Sequence, residues 1–365
     1  MMQLRIRRAD DRDQHQWDAY VRRHPDGLAY HLFAWKRAVE EAYGFAGHYF
    51  LAEKAGCLCG VLPTVHLHWP LSVGRIVSLP YCDAGGPLAE NAAIGAALVS
   101  AAQRYAAGQG IRGMELRLAT ADAVKAVPAA GQWALAGTSA GAVGKSRMLL
   151  PLAANAATLL CSLKAKVRSQ VRKPLRDGLS VTLGGAELLG SVYAVLCENM
   201  RDLGAPVHSR AWLGAVLRHY GEGAKCAVVW MPDGIPAAAG ILLCHPRTVS
   251  LPWASSLRRY NRANPNMLLY WTLLAFAADN GYQTFDFGRS TPGEGTYVFK
   301  KQWGSTASPL VWLCVDPSSG EASLCNGGIG ASAHWARTLG SKTFQNLPVP
   351  LATVLGSRLR RYVAL

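Results

Sequence analysis

The 365-residue sequence is short of acids: 23 Asp and Glu stand against 38 Lys and Arg, a net charge of +15. A chain so basic suits a polyanionic partner, such as tRNA, a phosphorylated precursor or an anionic membrane surface. The excess sits late, at +4 over residues 1–150, +8 over 151–315 and +3 over 316–365. The nine cysteines include no Cys-x-x-Cys pair, which excludes a zinc ribbon and a dithiol redox motif and predicts free buried thiols. No apolar run is long enough to span a membrane. The start, MMQLRIRRADDRD, lacks the apolar stretch of a signal peptide, so a cytoplasmic setting is expected. His66 and His68 lie two apart with no third ligand in view, and no metal site is expected. Nothing points to DNA.

What the sequence does contain is an internal repeat. The first copy runs from a helical segment, with Leu32, Trp35, Val39 and Tyr43 on one face, through two strand-like runs, AGHYFLAEK and CLCGVLPTVHL. GRIVSLPYCDAGGPL, an alanine-rich helix and the strand IRGMELRL follow. The second copy begins with the helix SRAWLGAVLRHYG and a hairpin turning at Pro232-Asp233-Gly234. TVSLPWASSLRR, the helix NMLLYWTLLAFAADNG and the strand YQTFDFG complete it. Ser78-Leu79-Pro80-Tyr81 matches Ser250-Leu251-Pro252-Trp253, and Glu115 matches Asp286. A shared order of helix, hairpin, strand, helix, strand predicts an α/β (α+β) protein made of one unit in tandem. The expected domains are 1–150 and 151–315, with 316–365 a linker and tail packing on the first. Arg358, Arg360 and Arg361 read as surface.

Between the copies, Lys164, Arg168, Arg172 and Arg176 recur at i, i+4 and form a basic stripe on any continuous helix, although Pro174 interrupts it. Like charges at that spacing repel, so Arg168 and Arg172 are expected to hold phosphate.

The densest segment is FDFGRSTPGEGTYVFKKQWG, Phe285–Gly304. Asp286 and Arg289 stand where a strand leaves a sheet, the place where α/β folds collect ligands. Glycines nearby allow close backbone approach, and Lys300 is a cation directly after an aromatic. No Ser-His-Asp set is present, and Cys82 lacks a placed histidine. Asp83, in the turn that matches the second copy's Trp253-Ala254, is the better candidate for substrate contact. Trp253, in the matching turn of the second copy, is a further candidate for substrate contact.

KVRSQVRKP (166–174), NMRDLGAPV (199–207), PWASSLRRYN (252–261), NPNMLLYW (264–271) and the Phe285–Gly304 segment resemble the FemAB group of aminoacyl and acyl transferases. The likeness is nearest to FemAB-like proteins associated with exopolysaccharide and PEP-CTERM loci. It implies tandem GNAT-like domains and transfer of an acyl or aminoacyl group to an amine of a cell-envelope or exopolysaccharide precursor. It also implies that Phe299 and Lys300 match the pair that steadies the developing oxyanion; such a transfer needs little more than orientation, a proton relay and that oxyanion donor, and Asp286 or Tyr297 suits the relay. Aminoacyl-tRNA is the donor in the founding members, and acyl-CoA is the alternative. The long helical arm of those members is lacking here, as is a glycine-rich loop for the pyrophosphate of coenzyme A. Two other readings stand beside this one: an acyl-CoA-dependent N-acetyltransferase, and a non-catalytic scaffold that binds an anionic glycan or RNA.

Overall fold

The structure is a computed structural model that describes residues 3–127, 145–325 and 341–364. The first half runs β1 (Leu4–Arg8), α1 (Gln14–Arg23), α2 (Phe33–Tyr43), β2 (Phe50–Lys54), β3 (Cys57–Leu62), β4 (Val65–Leu67), β5 (Arg75–Val77), β6 (Leu88–Ala89), α3 (Ala92–Gly108), β7 (Met114–Leu118) and α4 (Ala121–Lys125). Then come β8 (Ser146–Pro151), α5 (Ala156–Ser162), α6 (Ala165–Arg176), β9 (Ser180–Gly184), α7 (Leu189–Asp202), α8 (Arg210–Tyr220), β10 (Ala224–Trp230), β11 (Pro236–Cys244), β12 (Thr248–Ser256), α9 (Pro265–Asp279), β13 (Thr284–Ser290) and α10 (Gly295–Lys301). The chain continues through β14 (Thr306–Pro309), β15 (Val311–Val315), β16 (Ala322–Leu324) and α11 (Val349–Arg360).

The two halves repeat one wiring. In each, an antiparallel hairpin leads to a strand, a helix and a second strand parallel to the first: β5–α3–β7 and β12–α9–β13. Glu115 pairs with Val77 and Asp286 with Ser250, so, with Ser78 matched to Ser250, the two acids lie one residue apart in register within their parallel pairs. In the second half β9 to β14 form one seven-stranded sheet with β8 inserted. In the first half the sheet divides in two. CLCGVLPTVHL is not one strand but β3 and β4, because Pro63 has no N–H for the ladder. The nine residues of β11, with no proline after the first, run through unbroken.

The sheets exchange strands. β8 lies between β13 and β14, while β15, one residue beyond β14, crosses over to lie between β7 and β16. The boundaries expected at 150 and 315 therefore do not separate the sheets. Each half completes its ladder with a strand contributed from the other side. The helices that open the repeats, α2 and α8, pack together. Trp35 meets Trp212 edge-on at 5.1 Å, and Tyr43 stacks on Trp212 at 5.4 Å. One apolar core thus runs through both halves.

The thiols depart from expectation in two ways: Cys314 and Cys325 form a disulfide between β15 and the residue after β16, and of the seven free cysteines Cys57 and Cys161 are exposed. The tail carries α11, which packs on α7 of the second half. Its end then turns to the first, where Tyr81 donates its N–H to the Ala364 carbonyl at 2.6 Å. Part of the expected glycine- and serine-rich linker, from residue 326, lies outside the described residues.

Candidate active site

The second parallel pair parts soon after it forms. β12 and β13 are joined from Thr248 and Thr284 to Ser250 and Asp286, and no further. Pro252 has nothing to donate to the ladder, and Gly288, at φ 73°, turns β13 away at a bulge against β8. Only glycine suits that place, since a Cβ there would stand 3.2 Å from a carboxylate oxygen of Asp83. The opening is a cleft of about 280 Å³. Its walls are Leu251–Ser255 of β12, Phe287–Arg289 of β13, Lys300 of α10, Tyr81–Asp83 of the first half, and Arg360 of α11.

The matching gap in the first half is plugged. Arg117 stands where the second half has Gly288. Its guanidinium, almost wholly buried, binds Glu115 Oε1 at 2.7 and 2.8 Å and the Cys82 carbonyl at 2.6 Å. The displaced loop passes Leu79 and Tyr81 in left-handed backbone and reaches across to the other half. There the Asp83 carboxylate accepts the Arg289 backbone N–H at 2.9 Å. At the parting of the parallel strands the second half is open and the first is closed, and the closed turn walls the open cleft.

Three cations face this cleft. Lys300 is buried and donates to the Gly288 and Arg289 carbonyls at 3.2 and 2.8 Å. Two of its N–H bonds thus hold the splayed end of β13. Burial pulls its pKa down to about 8, against the pull of Asp83 and Asp286. Burial also lowers Arg289, whose guanidinium lies over Trp312, 5.3 Å from the ring centre. Arg360 is brought down to about 10 by burial and keeps its charge at neutral pH. The carboxylate of the lining is Asp83. Such an enclosure, cationic and partly dehydrated, favours an anionic ligand and a developing oxyanion.

Of the residues expected from sequence, Lys300, Arg289, Trp253 and Asp83 meet in the cleft. The others lie elsewhere. Asp286 is 2% exposed, takes Arg147 Nη2 at 2.8 Å on one oxygen and the Gly288 N–H at 2.8 Å on the other. A carboxylate so occupied shapes the bulge and is not placed to relay a proton. Phe299 packs on Tyr270 at 4.9 Å, and Tyr297 faces Lys301, both away from the cleft lining. Arg168 donates to the Leu163 carbonyl at 2.5 Å, closing the end of α5, while Arg172 is exposed on α6. The basic stripe therefore stands apart from the cleft. The Cys82 thiol lines it, but burial pushes its pKa well up, which leaves a poor nucleophile.

Sequence reasoning missed Arg360, taken for surface, and His208, a buried imidazole held by the Tyr43 hydroxyl at 2.8 Å. No local signal marks Arg360, because only the docking of the tail brings it in. Asn199, within a motif already singled out, donates to Ser255 Oγ at 2.9 Å and also lines the wall. A wider and more open hollow of about 840 Å³ lies by β7, β15 and β16. Arg75 and Arg112 there are offset by Glu115, Asp316 and Glu321, and it holds none of the expected residues.

Residues 162–301 match the acetyltransferase (GNAT) domain family, and these residues contain β12, α9, β13 and Lys300. No curated protein matches the chain. Among solved structures, FemX superposes with a TM-score of 0.65 at 16% identity, covering 83% of this chain and 95% of FemX. The C-terminal domain (DUF2156) of a protein assigned as lysylphosphatidylglycerol synthetase from Agrobacterium fabrum gives 0.54 at 15% identity, covering 92% and 97%. A tandem GNAT protein from the clavulanic acid biosynthesis pathway gives 0.52 at 12% identity, covering 87% and 99%. The fold is therefore a tandem GNAT-like one, of the FemX kind.

Proposed function

We propose that this chain is an acyltransferase that moves an acyl or aminoacyl group onto an amine of a negatively charged cell-envelope or exopolysaccharide precursor, in the cytoplasm. The observation that carries this reading is the convergence of Arg289, Lys300 and Arg360 on the cleft at the parting of β12 and β13. Arg289 and Arg360 hold the anionic part of the substrate. Lys300, with a donor left over after binding two carbonyls, meets the oxygen on which charge builds as the amine attacks. Phe299 supports Lys300 from the core and does not touch substrate. As the amide forms, the acyl C–O or C–S bond breaks, and the departing alkoxide or thiolate takes up the proton that the amine loses.

The donor is aminoacyl-tRNA or acyl-CoA. The match to an acetyltransferase family favours acyl-CoA, as do exposed Arg258 and Arg262 between β12 and α9 at the open end of the parallel pair. The resemblance to FemAB favours aminoacyl-tRNA. Purified protein incubated with radiolabelled acyl-CoA or aminoacyl-tRNA and an amino-sugar acceptor separates the two. Transfer from neither donor, with retained binding of an anionic glycan, returns the chain to a scaffold role.

A further inference from the structure

The last helix is turned inside out. α11 sets its small residues against the body: Ala352 is buried, and Gly356 lies so close to Pro206 and Val207 that a Cβ would stand 2.9 Å from the Val207 nitrogen. Its large apolar residues face outward instead, with Leu351, Leu355 and Leu359 at i, i+4, i+8 and each more than two-fifths exposed. A helix that only completes a core buries the opposite face.

A second apolar outcrop adjoins it. In the loop between β4 and β5, Trp69 and Val73 are about half exposed, and Leu71 is fully exposed. Leu71 also holds a left-handed backbone, φ 63°, where leucine is strained and gains no packing in return. Tyr362, just past α11, stacks on Trp69 with ring centres 4.1 Å apart and joins the two outcrops into one surface.

The two segments that form this surface carry no acid, and the acids of α7 beneath α11, Glu198 and Asp202, are each paired with an arginine. No Asp or Glu lies between Glu53 and Asp83, and none follows Glu321, while Arg358 is exposed on α11 among the leucines. Apolar tips on acid-free segments that carry an exposed arginine suit the interface of an anionic bilayer, where leucine and tryptophan enter the headgroup boundary and arginine meets phosphate. We propose that α11 and the Trp69–Val73 loop form a peripheral docking face for an anionic lipid surface. Arg360, one residue beyond Leu359, lines the cleft, so docking brings the cleft's mouth to the membrane. The inference does not depend on the chemistry assigned to the cleft.

Sedimentation of the full chain with vesicles of phosphatidylcholine, alone or mixed with phosphatidylglycerol, tests it. Binding is expected to the mixed vesicles only and to weaken as salt rises. The Leu71→Ser/Leu359→Ser double variant is expected to bind about tenfold more weakly, and Arg358→Gln about fivefold, with melting temperatures unchanged. If the double variant melts early, the two single variants are compared in its place. No binding to anionic vesicles, or binding that these variants leave intact, overturns the proposal. So does a dimer, seen by sedimentation equilibrium without lipid, that the same substitutions dissolve, since the face then belongs to a second copy of the chain.

Discussion

The Asp83 carboxylate, from the first half, accepts the backbone N–H of Arg289, from the second, at 2.9 Å, and its other oxygen lies 3.5 Å from the Arg289 guanidinium. One side chain thus fixes a wall of the cleft to the strand end that carries the cations. Asp83→Ala leaves that N–H without its acceptor, a loss of about 1–3 kcal/mol. A lowered melting temperature and a fall in kcat/KM are expected, with Asp83→Asn milder on both because its amide oxygen still accepts. Wild-type kinetics in the alanine variant would mean that the first half does not serve the site.

Lys300→Ala is expected to reduce kcat by roughly 100- to 1000-fold, the usual effect of removing one oxyanion donor. It also strips the Gly288 and Arg289 carbonyls of a partner, so some loss of stability accompanies it. Turnover within threefold of wild type at saturating substrate, in a protein that melts early, assigns Lys300 to structure alone.

Burial sets Lys300 near 8, so its donor form is full below that pH and lost above it. The rate constant should therefore fall on a single ionisation centred at about 8, and Lys300→Arg should carry that limb out of range. Stability moves the other way. The folded pKa lies below the unfolded value near 10.5, the unfolded chain holds more protons between them, and stability rises with pH across that window. A descending limb that survives in the arginine variant assigns the ionisation to another group.

Arg360→Gln should weaken binding of an anionic substrate by about tenfold and reduce its salt dependence, as loss of a charge-assisted bond does. Arg172→Gln, on the exposed stripe of α6, should change neither. Isothermal titration with the acceptor at two salt concentrations distinguishes them, and the reverse pattern would return the anion site to the stripe.

Arg147 and Asp286 form a buried pair between β8 and β13. Arg147→Ala leaves a carboxylate unpaired in the core and should destabilise by about 3–5 kcal/mol, whereas Arg147→Met with Asp286→Leu should cost less. Chemical denaturation of both variants checks the order; equal losses would show that the pair is not a unit.

The duplication and the order of its main elements were legible from sequence because hydrophobic period and turn chemistry are local. The SLP-aromatic match placed both parallel pairs, while Glu115 and Asp286, aligned in sequence, pair one residue apart in register. Local pattern does not say which residues share a strand edge or a cavity. Pro63 divided a run that reads as one strand, and strand exchange moved β8 and β15 across the expected boundaries, because ladder partners are chosen in space. Asp286 read as reactive from its neighbours in sequence, yet Arg147, 139 residues away, takes its charge. The asymmetry between the halves rests on one position, where Gly288 lets β13 part from β12 and Arg117 fills the same gap. Both residues stand in plain view in the sequence; what a missing or filled side chain encloses was decided only when the two halves, and a tail bearing Arg360, closed on the same cleft.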